Sequence, residues 1–467
     1  MKPYVSSSAV REGRPADLAL PPMRSRRRRD ALALLLGCLL SSCGDPETAD
    51  RPQRIVLLVL DALHADHMGC YGGPRGVTPH LDRVAAGGVR FANAFSNNTW
   101  TLPSTVSLYT GRYQESHGVV TREHVVPAAE VLLPELLQDA GWRTASFVQM
   151  LFASERYGLD RGYDEHYCYG FNDGPVRTEM PVDVQRWMNT HAGERYFLYL
   201  HFRRPHGRFD PVPALLERID PGCAQEVAAS ELDLAAAQKF GFRELPEDER
   251  EHVEHLYRAN LATVDAVLRP ILAACLADPE LLLVVTSDHG EGLGQNGFFG
   301  HGHALYGEAI DVPLLFRGPG VAPGVDEEPA CTVDVLPTLV ELLGLWPPPG
   351  VALDGVSLAP RLRVRAPAPE RAPIRVSARY DRSGPPAVGY VHGSAKLVID
   401  HEGVESLHDR STGTAGVHGV AASPTLAEAL RARARELRAG YGTLDLTGSG
   451  EPDLSAEDRA DLRALGY

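Results

Sequence analysis

The stretch from Arg54 to Asp61 reads Arg-Ile-Val-Leu-Leu-Val-Leu-Asp, an unbroken apolar run that ends in a carboxylate. A run of this kind predicts a strand that is covered on both faces, as in a largely parallel sheet. Asp61 follows this strand directly, and open α/β sheets bind their ligands at the carboxyl ends of their strands. The stretch therefore predicts an α/β fold with a functional carboxylate at Asp61; capping of the next helix is the alternative role for this residue.

Further strands and helices alternate along the chain. Strands are predicted over Arg143 to Val148, Tyr196 to Phe202, Leu281 to Thr286 and Pro313 to Phe316. Helices are predicted over Thr78 to Phe91, Ala129 to Ala140, Glu251 to Leu276 and Asp334 to Leu343. The alternation predicts a large central, mostly parallel mixed sheet that is sandwiched by helices.

The chain has 467 residues, enough for one large domain and a smaller one. We assign the large domain to residues 54–362. Beyond it the composition shifts toward short segments such as Ile374 to Ala378 and Lys396 to Ile399, followed by a charged helix over Thr425 to Arg438. Residues 367–467 are therefore predicted to form a small C-terminal α+β unit and tail.

The N-terminal region differs in composition from the rest of the chain. Arg26 to Arg29 form a basic cluster, Ala31 to Leu40 is a short apolar run, and a Leu-Ser-Ser-Cys sequence ends at Cys43. This order is typical of a signal peptide, because the apolar run is too short to span a bilayer as a mature helix. A buried N-terminal helix is the alternative. Met23 offers a second start, since a complete signal peptide begins there.

The Leu-Ser-Ser-Cys sequence resembles a bacterial lipoprotein box, which implies cleavage before Cys43 and attachment of a lipid to its sulfur. Residues 1–43 are predicted to be the signal peptide and residues 44–53 a polar tether. We therefore expect a protein that is exported to the bacterial cell envelope and anchored by its lipid to the inner or outer membrane. The formal net charge of -15 argues against a nucleic-acid partner, which usually requires a basic face.

Metal-binding residue types follow the predicted strand that ends at Thr286. Asp288 and His289 come directly after it, and a glycine-spaced loop then carries His301 and His303. His206 follows another predicted strand, in a position that suits a ligand or an anion contact. Oxygen and imidazole donors together suit zinc or manganese, whereas calcium is favoured only if oxygens dominate.

A candidate nucleophile lies in residues 100–111, Trp-Thr-Leu-Pro-Ser-Thr-Val-Ser-Leu-Tyr-Thr-Gly. Thr101 stands beside a rigid Leu-Pro-Ser turn, in which Pro103 fixes φ and removes a backbone donor. Such a segment can leave a hydroxyl at a helix N-terminus, where free N–H groups favour an incoming anion. We predict that Thr101 is the nucleophile and that the helix behind it begins near Val106; an ordinary N-cap threonine is the alternative.

Several short motifs occur in a fixed order along the chain: Asp61 with Met68-Gly69-Cys70-Tyr71-Gly72, Thr78-Pro79-His80-Leu81, Thr101-Leu102-Pro103-Ser104, Thr110-Gly111-Arg112, Ser287-Asp288-His289-Gly290 and Asp354-Gly355-Val356-Ser357-Leu358. Together they resemble the sulfatase family of the alkaline phosphatase superfamily, over Arg54 to about Leu362. The resemblance implies a metal-dependent ester hydrolase with one or two divalent ions, which would be zinc, manganese or calcium.

The resemblance also implies roles for individual residues. Asp61, Asp288 and His289 would bind a metal ion, and Thr101 would be both a ligand and the nucleophile. The remaining histidines named above would complete the site: His206 and His303 would hold substrate oxygens or a second ion, and His301 is a further expected metal ligand.

Four features of the family pattern are missing, at five positions. Sulfatases carry Cys or Ser at the position of Thr101 and oxidise it to formylglycine, an aldehyde that threonine cannot give because its β-carbon bears a methyl group. Thr105 stands in place of an arginine, Gln149 and Leu151 in place of a lysine and a histidine, and Ala62 where many sulfatases have a second aspartate. The losses of positive charge favour a phosphate ester or diester as substrate.

Alternatives to this function stay open at this point. The protein could be a true sulfuric ester hydrolase of the arylsulfatase type, or a phosphoglycerol or phosphoethanolamine transferase that passes the group to an acceptor hydroxyl. Its substrate would be a small-molecule, glycan or lipid ester. A lipid-anchored binding module with a decayed site is the non-enzymatic alternative.

Overall fold

Every residue of the predicted strand Arg54–Leu60 is buried, and this strand lies in the middle of a nine-stranded sheet in a computed structural model of the protein. The structure describes residues 4–6, 51–170, 179–207, 209–221, 241–242, 245–345, 352–364, 371–378, 387–409, 428, 430–432, 434–435 and 450–464. Strands within these residues are β1 (Tyr4–Ser6), β2 (Arg54–Leu60), β3 (Val89–Phe91), β4 (Ala94–Phe95), β5 (Arg143–Val148), β6 (Glu165–Cys168), β7 (Tyr196–Phe202), β8 (Gly241–Phe242), β9 (Leu281–Thr286), β10 (Gly292–Leu293), β11 (Phe298–Gly300), β12 (Leu314–Arg317), β13 (Gly324–Asp326), β14 (Ala330–Cys331), β15 (Ile374–Ala378), β16 (Ala387–His392), β17 (Ala395–Ile399) and β18 (Glu405–Asp409).

The helices of the described residues lie mainly between these strands. They are α1 (Pro79–Ala86), α2 (Thr101–Thr110), α3 (Gln114–His117), α4 (Leu133–Asp139), α5 (Glu179–Thr190), α6 (Pro213–Ile219), α7 (Glu247–Ala277), α8 (Gly307–Ile310), α9 (Val335–Leu343), α10 (Ala359–Val364) and α11 (Ala456–Ala464). Short 3-10 helices cover Ala65–His67, Gly69–Tyr71, Leu151–Ala153, Glu155–Tyr157 and Thr332–Asp334.

The large sheet has the strand order β1-β6-β5-β7-β2-β9-β12-β3-β13. Strand β2 pairs in parallel with β7 on one side and with β9 on the other. Strand β12 runs antiparallel to both β9 and β3, so the sheet is mixed. The predicted fold class, a mostly parallel mixed α/β sheet, is confirmed.

Helices cover both faces of this sheet, as the continuous apolar runs predict. Ile55, Leu57 and Val59 face one core, to which α2 contributes Leu102, Val106, Leu108 and Tyr109. Val56, Leu58 and Leu60 face the opposite core, which contains residues of α1, α5 and α7. Burial on both faces leaves only the ends of the strands free to carry polar side chains.

Four predicted helix boundaries are wrong. The helix expected from Glu251 already begins at Glu247. The helix expected over Thr78 to Phe91 ends at Ala86, and β3 follows it. Gly88 between them approaches β12 so closely that a Cβ there would lie 2.3 Å from the Phe316 carbonyl oxygen, which explains the glycine. The helix expected from Ala129 begins at Leu133, and the helix expected near Val106 already begins at Thr101.

A second, four-stranded antiparallel sheet, β15-β16-β17-β18, forms the small C-terminal unit that the sequence predicts. One of its faces packs Ile374 and Val376 against Phe95 and Ile310 of the large domain. On β17, the buried Lys396 donates a hydrogen bond from Nζ to the Leu305 carbonyl oxygen at 2.7 Å. The unit therefore contacts the chain segment that follows His303. The predicted helix over 425–438 lies largely outside the described residues.

The N-terminal predictions also fall mostly outside the described residues. Of the predicted signal peptide, the structure describes Tyr4–Ser6, which pairs antiparallel with β6. Cleavage before Cys43 and the tether over residues 44–53 stay predictions.

Asp265 connects α7 to α1, and its substitution tests the contact between these two helices. Its carboxylate accepts hydrogen bonds from the backbone N–H groups of His80 at 3.1 Å and Leu81 at 2.9 Å, in the first turn of α1. Asp265→Ala leaves these donors without acceptors, so we expect the free energy of unfolding to fall by about 1–2 kcal/mol. Urea denaturation measures the change. Arg269→Ala, at an exposed position of the same helix, is the control and should change stability little; equal losses would contradict the capping role.

Candidate active site

Three parallel strands end side by side and place their following residues at one edge of the sheet. Strand β2 is followed by Asp61, β7 by the loop that carries His206, and β9 by the segment from Ser287 to Glu291. The backbone joins the first two ends, because Asp61 N–H donates to the Phe202 carbonyl at 2.9 Å and His206 N–H donates to the Asp61 carbonyl at 3.1 Å. The strand ends therefore form a single site.

Thr101 is the first residue of α2, the helix that packs on one face of the sheet, and its side chain lies at this site. The N-cap position belongs to Trp100, whose backbone is extended, so the alternative of Thr101 as an ordinary N-cap is wrong. The Thr101 side chain is fully buried, and its Oγ1 lies 3.2 Å from His289 Nε2. The first turn of α2 places free backbone N–H groups beside the hydroxyl, where they favour a negatively charged group.

His289 lies between the two aspartates. Its Nε2 is 3.3 Å from Asp61 Oδ1 and 3.6 Å from Asp288 Oδ2. Its Nδ1 donates to the Gly290 carbonyl at 2.8 Å, so in the neutral ring the Nε2 lone pair faces the carboxylates and Thr101. The structure thus brings together four of the predicted ligands: Asp61, Thr101, Asp288 and His289.

His201 joins this group, although the sequence reasoning did not identify it. It is fully buried on β7, and its Nε2 lies 3.7 Å from Asp288 Oδ2 while Nδ1 lies 3.0 Å from the Tyr199 hydroxyl. The sequence did carry one signal for it. In the apolar run Tyr196–Phe202, His201 is the one ionisable side chain other than tyrosine, and it lies beside the end of the strand.

The group has the properties expected of a cation site. Asp61 Oδ2, Asp288 Oδ2 and His201 Nε2 are buried and make no hydrogen bond to any residue that the structure describes. Buried polar atoms without partners are costly, and a bound cation would satisfy them. Neighbouring donors around a tetrahedral zinc ion are about 3.3 Å apart, close to the separations of 3.2, 3.3 and 3.6 Å around His289 Nε2. The residues present therefore fit a divalent metal ion.

The ionisation of these groups reflects their burial and their mutual charges. Burial and the neighbouring Asp288 raise the pKa of Asp61 well above its ordinary value. Burial also tends to raise the pKa of Asp288, but the interactions with His289 and His201 outweigh burial and lower the pKa of that carboxyl. Burial lowers the pKa of His289, yet the two carboxylates raise it more, to about 9. In the absence of an ion, a proton on His289 offsets the carboxylate charge.

A second group of donors, His206, Glu291 and His301, lies next to the first, and one donor atom from each falls within 4.8 Å of the others. All three side chains are buried, and His301 Nδ1 lies 3.1 Å from Glu291 Oε1. The His301 ring stacks on His289 at 4.3 Å between centroids, which connects the two groups. Burial together with the neighbouring His301 lowers the pKa of His206 to about 3, so its imidazole is neutral.

The two predicted loop histidines are placed differently. His301 is buried in the second group, whereas the His303 side chain is exposed. Glu291 was not singled out from the sequence, although it directly follows the Asp-His-Gly segment. Sequence alone could not distinguish it from a glutamate that caps the following turn.

The positions that depart from the family pattern bring no cationic side chain to the site. Thr105 is buried one turn behind Thr101, and Leu151 packs in the core. The Gln149 side chain accepts a hydrogen bond from the Arg203 backbone N–H at 3.3 Å. Any positive charge near Thr101 must therefore come from another source.

Comparisons with known proteins agree with this architecture. A family model described as Sulfatase matches residues 53–345. The Delta 4,5-hexuronate-2-O-sulfatase of Bacteroides thetaiotaomicron is 26% identical over 374 residues, which cover 69% of this chain and 74% of that protein.

Solved structures show the same fold. A protein in complex with its substrate D-glucosamine-2-N,6-O-disulfate superimposes with a TM-score of 0.67 at 20% identity and covers 85% of this chain and 99% of that one. The phosphonate monoester hydrolase of Silicibacter pomeroyi gives a TM-score of 0.64 at 21% identity, over 84% and 97% of the two chains. This chain belongs to the sulfatase family of the alkaline phosphatase superfamily and is a sulfatase-like hydrolase.

Proposed function

We propose that the protein is a metal-dependent ester hydrolase that uses Thr101 as its nucleophile and prefers phosphate esters or diesters. The observation that supports this most directly is the position of Thr101 Oγ1. The hydroxyl lies at the N-terminus of α2, 3.2 Å from His289 Nε2 and beside two buried carboxylates with unpartnered oxygens. A surface threonine or a capping threonine has no such surroundings.

The metal ion would be held by Asp61, Asp288, His289 and Thr101, with His201 beside them. Calcium takes oxygen ligands, so a set that includes the imidazoles of His289 and His201 suits zinc or manganese better. When bound, such an ion lowers the pKa of a coordinated hydroxyl and supplies positive charge to the site.

The protein's own residues prepare the reaction around that hydroxyl. The Gly290 carbonyl fixes the His289 ring through Nδ1, so Nε2 points to Thr101. The N-terminus of α2 directs backbone N–H groups toward the incoming anion. Attack by Thr101 at phosphorus would expel the ester oxygen in line and leave the group covalently on the threonine, for later transfer to water. An acceptor hydroxyl in place of water would make the same protein a transferase.

The second donor group favours a second cation over direct contacts to substrate oxygens. His206 Nδ1 donates to the Gly207 carbonyl, and His301 Nδ1 faces the Glu291 carboxylate. Both neutral rings therefore present an Nε2 lone pair, which binds a cation and cannot donate to a substrate oxygen. His303, which is exposed, is left as the candidate for a direct substrate contact.

Sulfate esters are the second candidate substrates. The specific support for them is the similarity to the hexuronate sulfatase and to a structure that holds a sulfated glucosamine. This alternative would require sulfate transfer through Thr101 without formylglycine. In either case we propose a small-molecule, glycan or lipid ester as substrate and a location in the bacterial cell envelope, through a lipid on Cys43.

Thr101 variants test the proposed nucleophile. Thr101→Ala removes the attacking oxygen and should lower kcat/KM by at least about a thousandfold. Thr101→Ser keeps the hydroxyl and is the matched control. The measurement is turnover of an aryl sulfate, an aryl phosphate and a bis-aryl phosphate with zinc, manganese or calcium. Efficient cleavage by Thr101→Ala would contradict the mechanism, and a preference for the aryl sulfate would contradict the phosphate assignment. No turnover of any ester by the metal-loaded protein would favour a binding module.

Metal analysis tests the second group of donors. We expect two divalent ions per chain in the native protein and one in Glu291→Gln, because the neutral amide is a poor ligand. Inductively coupled plasma mass spectrometry gives the stoichiometry. Glu308→Gln is the control, since Glu308 is a buried glutamate of the neighbouring helix that belongs to neither group. A single ion per chain in the native protein would contradict the second site, and two ions in Glu291→Gln would contradict the role of Glu291.

The raised pKa of His289 predicts how the metal-free protein responds to pH. A histidine whose folded-state pKa is about 9 adds stability that is complete below its unfolded pKa, near 6.5, and is lost as the pH rises through 9. The free energy of unfolding of the chelated protein should therefore decline between pH 6.5 and pH 9. Chemical denaturation at a series of pH values measures this slope, which should be smaller in His289→Asn. An unchanged slope in that variant would show that another group is responsible.

A further inference from the structure

Ala62, directly after the metal-site residue Asp61, has a left-handed backbone conformation. Its φ is 60°, and it is the only non-glycine residue with a positive φ among the residues that the structure describes. An L-residue with a Cβ is disfavoured in this region, because Cβ crowds the following carbonyl oxygen. Such a conformation persists only where surrounding contacts hold it.

The turn at Ala62 ties the backbone that follows Asp61 to the Asp288 carboxylate and its neighbour Ser287. Its N–H donates to Asp288 Oδ1 at 3.3 Å, and the next N–H, of Leu63, donates to Ser287 Oγ at 2.9 Å. The end of β2 is thus connected to the segment that follows β9. If Ala62 relaxed to a negative φ, the peptide planes on both sides would rotate, and the position of Asp61 relative to Asp288 would change.

Tyr257 of α7 holds this turn from behind. Its hydroxyl donates to the Ala62 carbonyl at 2.7 Å and accepts from the His64 N–H at 3.0 Å. The ring is fully buried between His67, at 4.9 Å, and Phe209, at 5.7 Å between centroids. The phenol oxygen is therefore fixed by packing, and it bonds to the backbone on both sides of Leu63.

We propose that Tyr257 is a positioning residue of the metal site: its hydroxyl keeps Ala62 in the left-handed conformation, and this conformation holds Asp61 and Asp288 at the separation that a divalent cation requires. The free energy of one buried hydrogen bond is similar to the free-energy cost of the left-handed conformation. Loss of the hydroxyl is therefore enough to let Ala62 leave that conformation. The inference rests on the proposed function only in taking a divalent cation as the ligand.

Tyr257→Phe tests the role of the hydroxyl while the ring packing is kept. We expect its dissociation constant for Mn²⁺, measured by isothermal titration calorimetry on the chelated protein, to rise roughly tenfold, as for the loss of one hydrogen bond. Tyr157→Phe is the matched control, because Tyr157 is another fully buried tyrosine whose hydroxyl donates to a backbone carbonyl, that of Arg122 at 3.2 Å. It should bind Mn²⁺ like the native protein. Native affinity in Tyr257→Phe would overturn the proposal.

A second substitution separates positioning from general stability. Glycine adopts positive φ readily, so Ala62→Gly in the Tyr257→Phe background should recover much of the lost Mn²⁺ affinity without restoring the melting temperature. Failure to recover any affinity would overturn the proposal. If Tyr257→Phe does not fold, Ala62→Gly and Ala62→Val are compared with Tyr257 present. The valine variant should bind Mn²⁺ more weakly, because a β-branched residue resists the left-handed conformation. Equal binding by those two variants would overturn it.

These titrations distinguish the proposal from the proposed function. If Mn²⁺ binding depends on Tyr257 but no ester is cleaved, the positioning role is supported and the proposed ester-hydrolase function is refuted. If esters are cleaved but Mn²⁺ binding does not depend on Tyr257, the proposed function is supported and the positioning role is refuted. A native protein that binds no Mn²⁺ overturns both.

Discussion

Two buried carboxylates, Asp61 and Asp288, repel each other at the ends of adjacent parallel strands, and the surrounding structure compensates for this repulsion. Charges interact strongly where water is excluded, so the pair requires positive charge close by. His289 lies between the carboxylates and supplies that charge when protonated, and the N-terminus of α2 lies at the same place. The neutral imidazole of His201 approaches Asp288 from β7, on the far side of β2. These groups reduce the repulsion, while the unpartnered oxygens leave room for a cation.

The parallel sheet is what allows so many polar groups to meet. Strands β7, β2 and β9 are buried on both faces, so their side chains cannot carry chemistry except at their ends. Parallel pairing brings these ends to one edge, where residues in or directly after the strands meet Thr101 of α2. The α7 helix behind the sheet and the C-terminal sheet beside it contribute hydrogen bonds, from Tyr257 and Lys396, to segments that carry the site. Rigid elements thus hold ligands that flexible loops would place less accurately.

A fold of this kind does not by itself specify the ester that is cleaved, because function resides in the site residues. Relative to the family pattern, Thr101 and Thr105 stand in place of an oxidisable nucleophile and a fixed positive charge. In the proposed function, a bound cation would supply that positive charge.

The sequence determined the fold class and four members of the first donor group, since Asp61, Asp288 and His289 follow apolar strands and Thr101 stands beside a rigid Leu-Pro-Ser turn. Local pattern sufficed there, because the carboxyl end of a buried strand is a special position whatever the neighbouring strands are. The positions of His201, Glu291 and Tyr257 at the site were decided only by tertiary structure. His201 lies within an apolar run, Glu291 follows a turn and Tyr257 belongs to an amphipathic helix, so each has an ordinary local explanation. Strand order and helix packing, which depend on contacts between distant parts of the chain, bring them to the site.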